Sequence, residues 1–267
     1  MKPLIHFAHA NGVPSQVYQK LFDLLKDEYE VIYVPLLGTD KRYPIDNHWE
    51  SLTNQVIDSI VRQAKGRPVI GLGHSLGSVL TFQAALKRPE LFSQVIMLDP
   101  PLIMGKDGFA LHVAKLLKLK AVDRMSPAAL SLRRRDHWDS REQAAELLRP
   151  KGFYKDFDAD CFQAYIDYAL TEDKVRGGVE LTIPKMDEVK VFRTNPSLWW
   201  LPRKKIHLPI HLVVAEQSPF LPRRFPQMVK KKFGVPFSIT AGGHMFPLEH
   251  PVEVVKLIKQ LIQQQAK

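Results

Sequence analysis

Hydrophobic residues occur along the chain in short runs, and amphipathic segments of helical length separate the runs. An apolar run of about four to eight residues is typical of a strand that is buried on both faces of a parallel sheet. The predicted strands span residues 4–8, 30–35, 68–72, 94–98, 210–215 and 237–240. The predicted helices between and after them span residues 17–27, 49–64, 77–87, 225–232 and 251–264. This alternation predicts an α/β fold with a mostly parallel sheet of about six strands, covered by helices.

The alternation breaks off between residues 101 and 206. The pattern there predicts several helices, at 109–119, 127–133, 140–148 and 160–170, followed by a looser stretch that ends near residue 200. An insertion between two strands has to fold over an edge of the sheet, and ligands of open α/β sheets bind beyond the carboxyl ends of the strands. We therefore expect a core of residues 1–100 and 207–267, and a helical cap of residues 101–206 that excludes water from the site.

The composition is that of an ordinary globular protein, with 267 residues of which 45% are hydrophobic and 25% are charged. The net charge is +10, but the basic runs at 133–135, 203–205 and 230–232 are scattered and lack interleaved aromatic residues, so we expect no nucleic-acid partner. No apolar stretch of about 18 residues and no signal-peptide pattern is present, so we expect a cytoplasmic protein without stable membrane insertion. The pattern leaves the oligomeric state open.

The single cysteine, Cys161, restricts the redox and metal chemistry that the sequence can support. One thiol cannot form a disulfide within the chain, and no cluster of cysteine and histidine has the spacing of a zinc site. We therefore expect Cys161 to be a small buried residue, and we expect no metal.

The segment Gly-His-Ser-Leu-Gly at 73–77 lies between a predicted strand and a predicted helix. A serine in such a tight turn has a strained backbone, so the residues two before and two after it must be small, and here they are Gly73 and Gly77. The structural alternative is a glycine-rich turn, but the flanking strand and helix favour a nucleophile elbow. An elbow would expose Ser75 Oγ above the sheet, where the Leu76 N–H at the helix N-terminus can stabilise an oxyanion.

Four short motifs resemble those of the α/β-hydrolase fold family, over essentially the whole length of the chain. They are Phe-Ala-His-Ala-Asn-Gly at 7–12, the elbow at 73–77, Leu-Asp-Pro at 98–100 and Gly-Gly-His at 242–244. The family usually has two strands before the first of these motifs, so the resemblance implies a six-stranded sheet that lacks the N-terminal hairpin. Within the cap, the segments 138–142 and 177–181 resemble capped esterase-like or lipase-like hydrolases.

The resemblance also implies a late histidine, because the catalytic residues of this fold follow the chain order serine, acid, histidine. His244 lies in a glycine-containing loop after the last predicted strand, where the backbone can turn the imidazole over the sheet. His250, which precedes a proline, is more typical of a helix start. We therefore predict that His244 is the general base that takes the proton of Ser75.

The acid is harder to assign, because the position that most family members use is occupied by Ser218. A serine carries no charge and cannot stabilise an imidazolium. Asp99 follows the strand at 94–98 in a context similar to that of pancreatic-type lipases, which carry their acid there. An aspartate before a proline is also common turn chemistry, and Glu216 is a competing candidate. We favour Asp99, while Glu216 and the absence of any acid stay open.

The remaining candidates concern the oxyanion and the substrate. The resemblance suggests that the N–H of Asn11 is the second oxyanion donor, with Val13 as the alternative. The substrate-binding candidates are His74, within the elbow, and Trp138 and Trp199, within the cap. Other apolar cap residues, most of which should pack in the core, are Leu102, Ile103, Phe109, Phe153, Tyr165 and Trp200.

The combined residues predict a serine hydrolase that cleaves small-molecule carboxylic esters with apolar groups through an acyl-serine, without a cofactor. Thioesters, lactones and carbon–carbon bonds beside a carbonyl are alternative substrates for the same residues. Epoxide and haloalkane hydrolysis in this fold needs a carboxylate at position 75 and is disfavoured. Ser218 also motivates a different class of function, in which a decayed hydrolase binds a ligand without turnover.

Overall fold

The computed structural model describes residues 1–119, 121–124, 126–201 and 207–265, so the basic run at 203–205 lies outside the described residues. The strands are β1 (Leu4–Ala8), β2 (Glu30–Tyr33), β3 (Val69–His74), β4 (Phe92–Leu98), β5 (His137–Trp138), β6 (Leu170–Glu172), β7 (Val179–Leu181), β8 (Ile210–Ala215) and β9 (Phe237–Thr240). The helices are α1 (Gln19–Leu25), α2 (Glu50–Ala64), α3 (Leu76–Lys87), α4 (Gly105–Leu116), α5 (Ala121–Arg124), α6 (Ala128–Arg133), α7 (Arg141–Leu148), α8 (Ala159–Tyr168), α9 (Lys185–Arg193), α10 (Phe225–Phe233), α11 (Phe246–Glu249) and α12 (Pro251–Gln265). Short 3₁₀ turns occupy Ser15–Tyr18, Asn47–Trp49 and Pro89–Leu91.

Six of the described strands form a parallel sheet in the order β2-β1-β3-β4-β8-β9. The predicted α/β fold with a mostly parallel sheet of about six strands is confirmed. Because all six strands run in the same direction, their carboxyl ends meet at one edge of the sheet. The loop after β1, Ser75 after β3 and Asp99 after β4 therefore start from neighbouring strands at that edge.

The core consists of two apolar layers, one on each face of the sheet. Ile5 and Phe7 of β1 pack in the layer that contains α1, α8 and α12. Leu4 and Ala8 of the same strand pack in the opposite layer with α2, α3 and α10. Successive side chains of a strand point to opposite faces, so a strand covered on both faces has to be apolar at every position. This requirement explains the continuous apolar runs that predict the strands.

The region between residues 101 and 206 is more varied than the predicted set of helices. It contains the helices α4 to α9 and also a three-stranded antiparallel sheet in the order β5-β7-β6. These strands have two or three residues each, which is too short for an alternating pattern to show in the sequence. The helix α9 lies in a stretch where the sequence pattern predicts no regular structure. The pattern therefore predicts neither α9 nor the antiparallel sheet.

Part of this inserted region shares the core of the central sheet. Trp138, Tyr165 and Val179 belong to the same apolar layer as Tyr18 and Leu21, next to α1. The lone thiol, Cys161, lies in that layer too, and burial raises its pKa to about 12.

The helix α9 is fastened to the central part of the chain near the 3₁₀ turn Asn47–Trp49. Trp49 Nε1–H donates to the carbonyl of Val191 at 3.1 Å, and the N–H of His48 donates to the carbonyl of Thr194 at 2.9 Å. A shared apolar layer and the contacts of α9 therefore both hold this region on the central part of the chain. None of the described helices combines the length and the apolar character that crossing a membrane requires.

Candidate active site

Ser75 occupies the turn between β3 and α3 with a strained backbone, at φ 52° and ψ −115°. The flanking glycines are required by close approach of the backbone. A Cβ on Gly73 would lie 2.4 Å from the carbonyl oxygen of Gly77, and a Cβ on Gly77 would lie 2.0 Å from that of Ala8. The chain therefore adopts the tight strand-to-helix turn that the motif predicts.

His244 lies in the loop after β9 and reaches both of the other candidate residues. Its Nε2 is 2.9 Å from Ser75 Oγ, and its Nδ1 is 2.5 Å from Asp99 Oδ2. Because a carboxylate only accepts, Nδ1 carries a proton, and Nε2 can then accept a hydrogen bond from the Ser75 hydroxyl. The structure therefore brings the predicted serine, histidine and aspartate together in one hydrogen-bonded chain.

Asp99 is fully buried at the end of β4, with a φ of 44°. Its N–H donates to the carbonyl of Val213 at 2.8 Å, and its Oδ1 accepts from the N–H of Ala215 at 3.3 Å. Both partners lie on the adjacent strand β8. The first bond holds the backbone of Asp99 and the second holds its Oδ1, while Oδ2 contacts His244. The bond from the Ala215 N–H to Oδ1 also offsets part of the free-energy cost of burying the carboxylate.

The other acid candidate lies elsewhere. Glu216 is exposed to solvent and makes no side-chain contact with His244 among the described residues. Ser218 is buried, and its hydroxyl oxygen accepts from the N–H of Phe220 at 3.2 Å, which stabilises the turn after β8. The structure thus brings Asp99, and not Glu216, to the imidazole.

Two backbone N–H groups near Ser75 are available for an oxyanion. Within the described part of the chain, neither the N–H of Leu76 nor that of Asn11 donates to a protein acceptor. The N–H of Val13 already donates to the carbonyl of Ala10 at 3.1 Å, which removes the alternative that the sequence left open. The side-chain amide of Asn11 donates to the carbonyl of Glu188 at 3.0 Å and ties this loop to α9.

His9 supports the same loop from within. Its Nδ1–H donates to the carbonyl of Ala10 at 2.7 Å, and its Nε2 accepts from the N–H of Leu37 at 2.7 Å. Burial lowers the pKa of His9 to about 4, and the hydrogen bond to Ala10 offsets only part of that shift. The ring is therefore neutral and holds the loop in one conformation.

His74, a substrate-binding candidate from its place in the elbow, does not border the cavity at Ser75. The side chain is fully buried between Tyr18, whose hydroxyl is 2.7 Å from Nδ1, and His244, whose carbonyl oxygen is 2.8 Å from Nε2. The carbonyl can only accept, so Nε2 carries the proton and Nδ1 accepts from the Tyr18 hydroxyl. Burial and the neighbouring His244 lower the pKa of His74 to about 3 and keep the ring neutral. His74 therefore positions the backbone of His244.

The two tryptophan candidates are also core residues. Trp138 and Trp199 are each 1% exposed, and neither lines the cavity at Ser75. Trp199 packs against Phe82 and Phe233, and its indole N–H donates to the carbonyl of Pro196. Of the wider set of apolar cap residues, Phe153 borders this cavity among the described residues, and the others do not. Large aromatic side chains in the cap thus serve mainly to pack it.

A cavity of about 440 Å³ contains Ser75 and His244. Its lining is mostly apolar with a few polar groups, as is typical of small-molecule sites. The other lining residues are Ala10, Asn11, Gly12, Val13, Pro127, Leu130, Ser131, Arg134, Lys151, Phe153, Tyr154, Glu188, Phe192 and Met245. Sequence reasoning missed most of the cap residues in this set, and Glu188 and Phe192 lie on the unpredicted helix α9.

In the part of the chain that the structure describes, no group of three histidine, cysteine or acidic side chains could hold a metal ion.

The sequence profile of the alpha/beta hydrolase family matches residues 7–257. The chain belongs to this family. The six-stranded parallel sheet with flanking helices agrees with the fold of this family.

The curated relatives of this alpha/beta hydrolase are distant. A type I acyl-CoA thioesterase of Penicillium brevicompactum is 23% identical over 216 residues, which cover 68% of this chain and 47% of the relative. A second thioesterase of the same organism matches with the same identity and coverage. This chain spans about half the length of these two curated relatives.

Solved structures match this alpha/beta hydrolase over nearly its whole length. E-2-(acetamidomethylene)succinate hydrolase superposes with a TM-score of 0.74 at 21% identity, covering 98% of this chain and 92% of that one. The thioesterase domain from the curacin biosynthetic pathway superposes with a TM-score of 0.72 at 17% identity, covering 96% and 91%. At such low identity, the superpositions establish the fold.

Proposed function

We propose that this alpha/beta hydrolase is a serine hydrolase that cleaves carboxylic esters through a covalent acyl-serine. The observation that carries the proposal is the 2.9 Å contact between Ser75 Oγ and His244 Nε2, with Asp99 on the other ring nitrogen. A serine hydroxyl is a weak nucleophile at neutral pH and needs such a base to take its proton during attack. The buried carboxylate fixes the tautomer in which Nε2 can accept that proton.

The reaction proceeds in two halves. Ser75 Oγ attacks the ester carbonyl while His244 takes the hydroxyl proton, and Asp99 stabilises the resulting imidazolium. The N–H groups of Leu76 and Asn11 donate to the oxyanion of the tetrahedral intermediate. The intermediate collapses, His244 returns the proton to the leaving alcohol, and the acyl group stays on Ser75. Water, activated by His244, then releases the acid and restores the hydroxyl.

The division of the chain into a core of residues 1–100 and 207–267 and a cap of residues 101–206 belongs to this proposal. The cavity supports it, because α6 and α9 of the cap border the space in front of Ser75. Walls of this kind exclude water, which strengthens the electrostatic contacts inside the site.

Thioesters are the second candidate substrates, and the relatives favour them. The curated relative described as an acyl-CoA thioesterase and the curacin thioesterase domain both match this chain. The same acyl-serine chemistry serves both classes, because only the leaving group changes from an alcohol to a thiol. Hydrolysis rates of an ester and a thioester with the same acyl group separate the two candidates.

A fluorophosphonate probe tests the shared chemistry directly. We expect the probe to label Ser75 in the wild-type protein, and we expect Ser75→Ala to lose both the label and the hydrolysis of 4-nitrophenyl butyrate. Ser126→Ala serves as the matched control, because Ser126 lies outside the cavity lining. Labelling and turnover that survive Ser75→Ala would contradict the proposal. A folded wild-type protein that is neither labelled nor active would favour the ligand-binding alternative.

A further inference from the structure

One wall of the cavity at Ser75 carries a cluster of polar side chains that the acyl-transfer mechanism does not use. Arg134 Nη1 donates to Glu188 Oε2 at 2.7 Å, and Ser131 Oγ donates to Glu188 Oε1 at 2.6 Å. Arg134 Nη2 donates to the hydroxyl groups of Tyr154 and Tyr165 at 3.2 and 3.0 Å. All but Tyr165 border the cavity.

Some N–H and O–H donors of this cluster have no acceptor within it. A guanidinium has five N–H groups, and two of those on Arg134 have no acceptor among the described residues. The hydroxyl groups of Tyr154 and Tyr165 lie 3.2 Å apart and share one hydrogen bond, so one of their two protons also lacks an acceptor there. Each carboxylate oxygen of Glu188 already accepts one hydrogen bond, from Ser131 or from Arg134. The cluster is therefore ready to bind a further acceptor group.

Lys151 adds a second positive charge to the same cavity. Its side chain borders the cavity from an exposed position, and no acid pairs with its Nζ among the described residues. Glu188 balances one of the two cations, so the described lining carries one net positive charge beside the catalytic residues. Arg134 and Glu188 lie in the less exposed part of this lining, and Lys151 lies where the cavity meets solvent.

We propose that the substrate carries a free carboxylate besides its scissile carbonyl, and that Lys151 and Arg134 bind this carboxylate. A planar carboxylate has two acceptor oxygens, so it can accept from the Lys151 ammonium and from an N–H of Arg134 that has no acceptor within the cluster. The preferred substrates are then half-esters or half-thioesters of dicarboxylic acids. This inference rests on the proposed function, since it specifies the substrate of the same site.

Two chromogenic esters of equal chain length test the inference. One is mono-(4-nitrophenyl) glutarate, which ends in a carboxylate, and the other is 4-nitrophenyl pentanoate, which ends in a methyl group. We expect the wild-type enzyme to favour the glutarate in kcat/KM. Lys151→Gln should lower the ratio of kcat/KM for the glutarate to kcat/KM for the pentanoate about tenfold, mainly by raising KM for the glutarate. Lys151→Glu should lower this ratio further.

The control is Lys155→Gln, because Lys155 is an exposed neighbour that pairs with Asp156 and does not border the cavity. It should leave both kcat/KM values unchanged. Arg134→Lys keeps the charge but loses the planar guanidinium with its additional N–H donors, so it should also lower the ratio of glutarate to pentanoate kcat/KM. Thermal unfolding checks that this variant folds. Equal kcat/KM for the two esters, or an unchanged ratio in Lys151→Gln, would overturn the inference while leaving the serine hydrolase proposal intact. Absence of turnover and of fluorophosphonate labelling would refute the proposed function itself.

Discussion

Asp99 and Ser218 follow two adjacent strands, and Asp99 is the one whose side chain contacts the His244 imidazole. The strands β4 and β8 are adjacent and parallel, so Asp99 after β4 and Ser218 after β8 both leave the sheet at the edge where His244 arrives. The side chain at the end of β4 is fully buried and bonded to the backbone of β8. The carboxylate that contacts His244 therefore comes from the end of β4, and the serine after β8 stabilises its own turn.

Exchange of the acid gives the sharpest prediction for a single residue. Asp99→Asn keeps the shape but removes the charge and stabilises the wrong tautomer of His244, so kcat should fall by about 10³ to 10⁴. Glu216→Gln should change kcat less than twofold, because Glu216 is exposed and remote from the ring. Steady-state kinetics on 4-nitrophenyl butyrate measure both. A severe loss in Glu216→Gln alone would reverse the assignment.

The sequence singles out Ser75, Asp99 and His244, which the structure brings within hydrogen-bonding distance of one another. These residues could be found because each follows a strand within a short motif of local origin. His74 and Trp199 were misassigned because their surroundings are set by distant segments: Tyr18 and the loop of His244 enclose the first, and Phe82 and Phe233 the second. Burial of this kind leaves no local signal.

The elbow is the element in which backbone packing is tightest. A side chain at position 77 would collide with the carbonyl of Ala8 on the neighbouring strand, which is backbone and cannot rotate away. The turn therefore fixes the distance between β1 and the start of α3, and with it the spacing between the loop of Asn11 and Ser75. Catalytic geometry and packing depend on the same glycine.

Gly77→Ala should consequently lower the free energy of unfolding by at least about 2 kcal/mol and abolish hydrolysis. Gly152→Ala is the matched control, because an added Cβ there meets no atom within 4 Å and the change should stay within about 0.5 kcal/mol. Urea denaturation of both variants measures the two free energies. Equal stability of the variants would show that the turn can widen at no cost.

Elements differed in how well the sequence predicted them. The strands β1, β8 and β9 have the bounds that the sequence predicts, and in β1 and β8 burial on both faces leaves little choice of residue. The helix α9 was missed because its buried face includes a charged residue, Glu188, which pairs with Arg134 from a distant part of the chain. A polar group that is buried by a distant partner hides the apolar periodicity of its own helix.

The molecule as a whole buries three neutral histidines, His6, His9 and His74. Burial lowers their pKa values to about 3, 4 and 3, whereas an unfolded histidine titrates near 6.5. Between these values the unfolded chain binds protons that the folded protein excludes. Stability is therefore complete above pH 6.5 and is lost as the pH falls towards the folded pKa values.

The free energy of unfolding should fall by about 2 kcal/mol for each of these histidines between pH 7 and pH 5. Urea denaturation at the two pH values measures the total. His6→Gln, which replaces a ring that contacts Ser59 far from the cavity, should reduce the pH dependence by the share of one histidine. Equal stability at pH 7 and pH 5 would mean that the three rings accept protons without unfolding.

The apolar layer that joins residues 137–181 to the central sheet also decides how molecules reach the nucleophile. Lifting that segment would expose Trp138 and Tyr165 together with Tyr18, which would undo part of the main core. The segment is therefore anchored in the core, while Leu130 and Phe153, which border the cavity, are 74% and 45% exposed. A molecule that approaches Ser75 from solvent on this side of the cavity passes these two side chains.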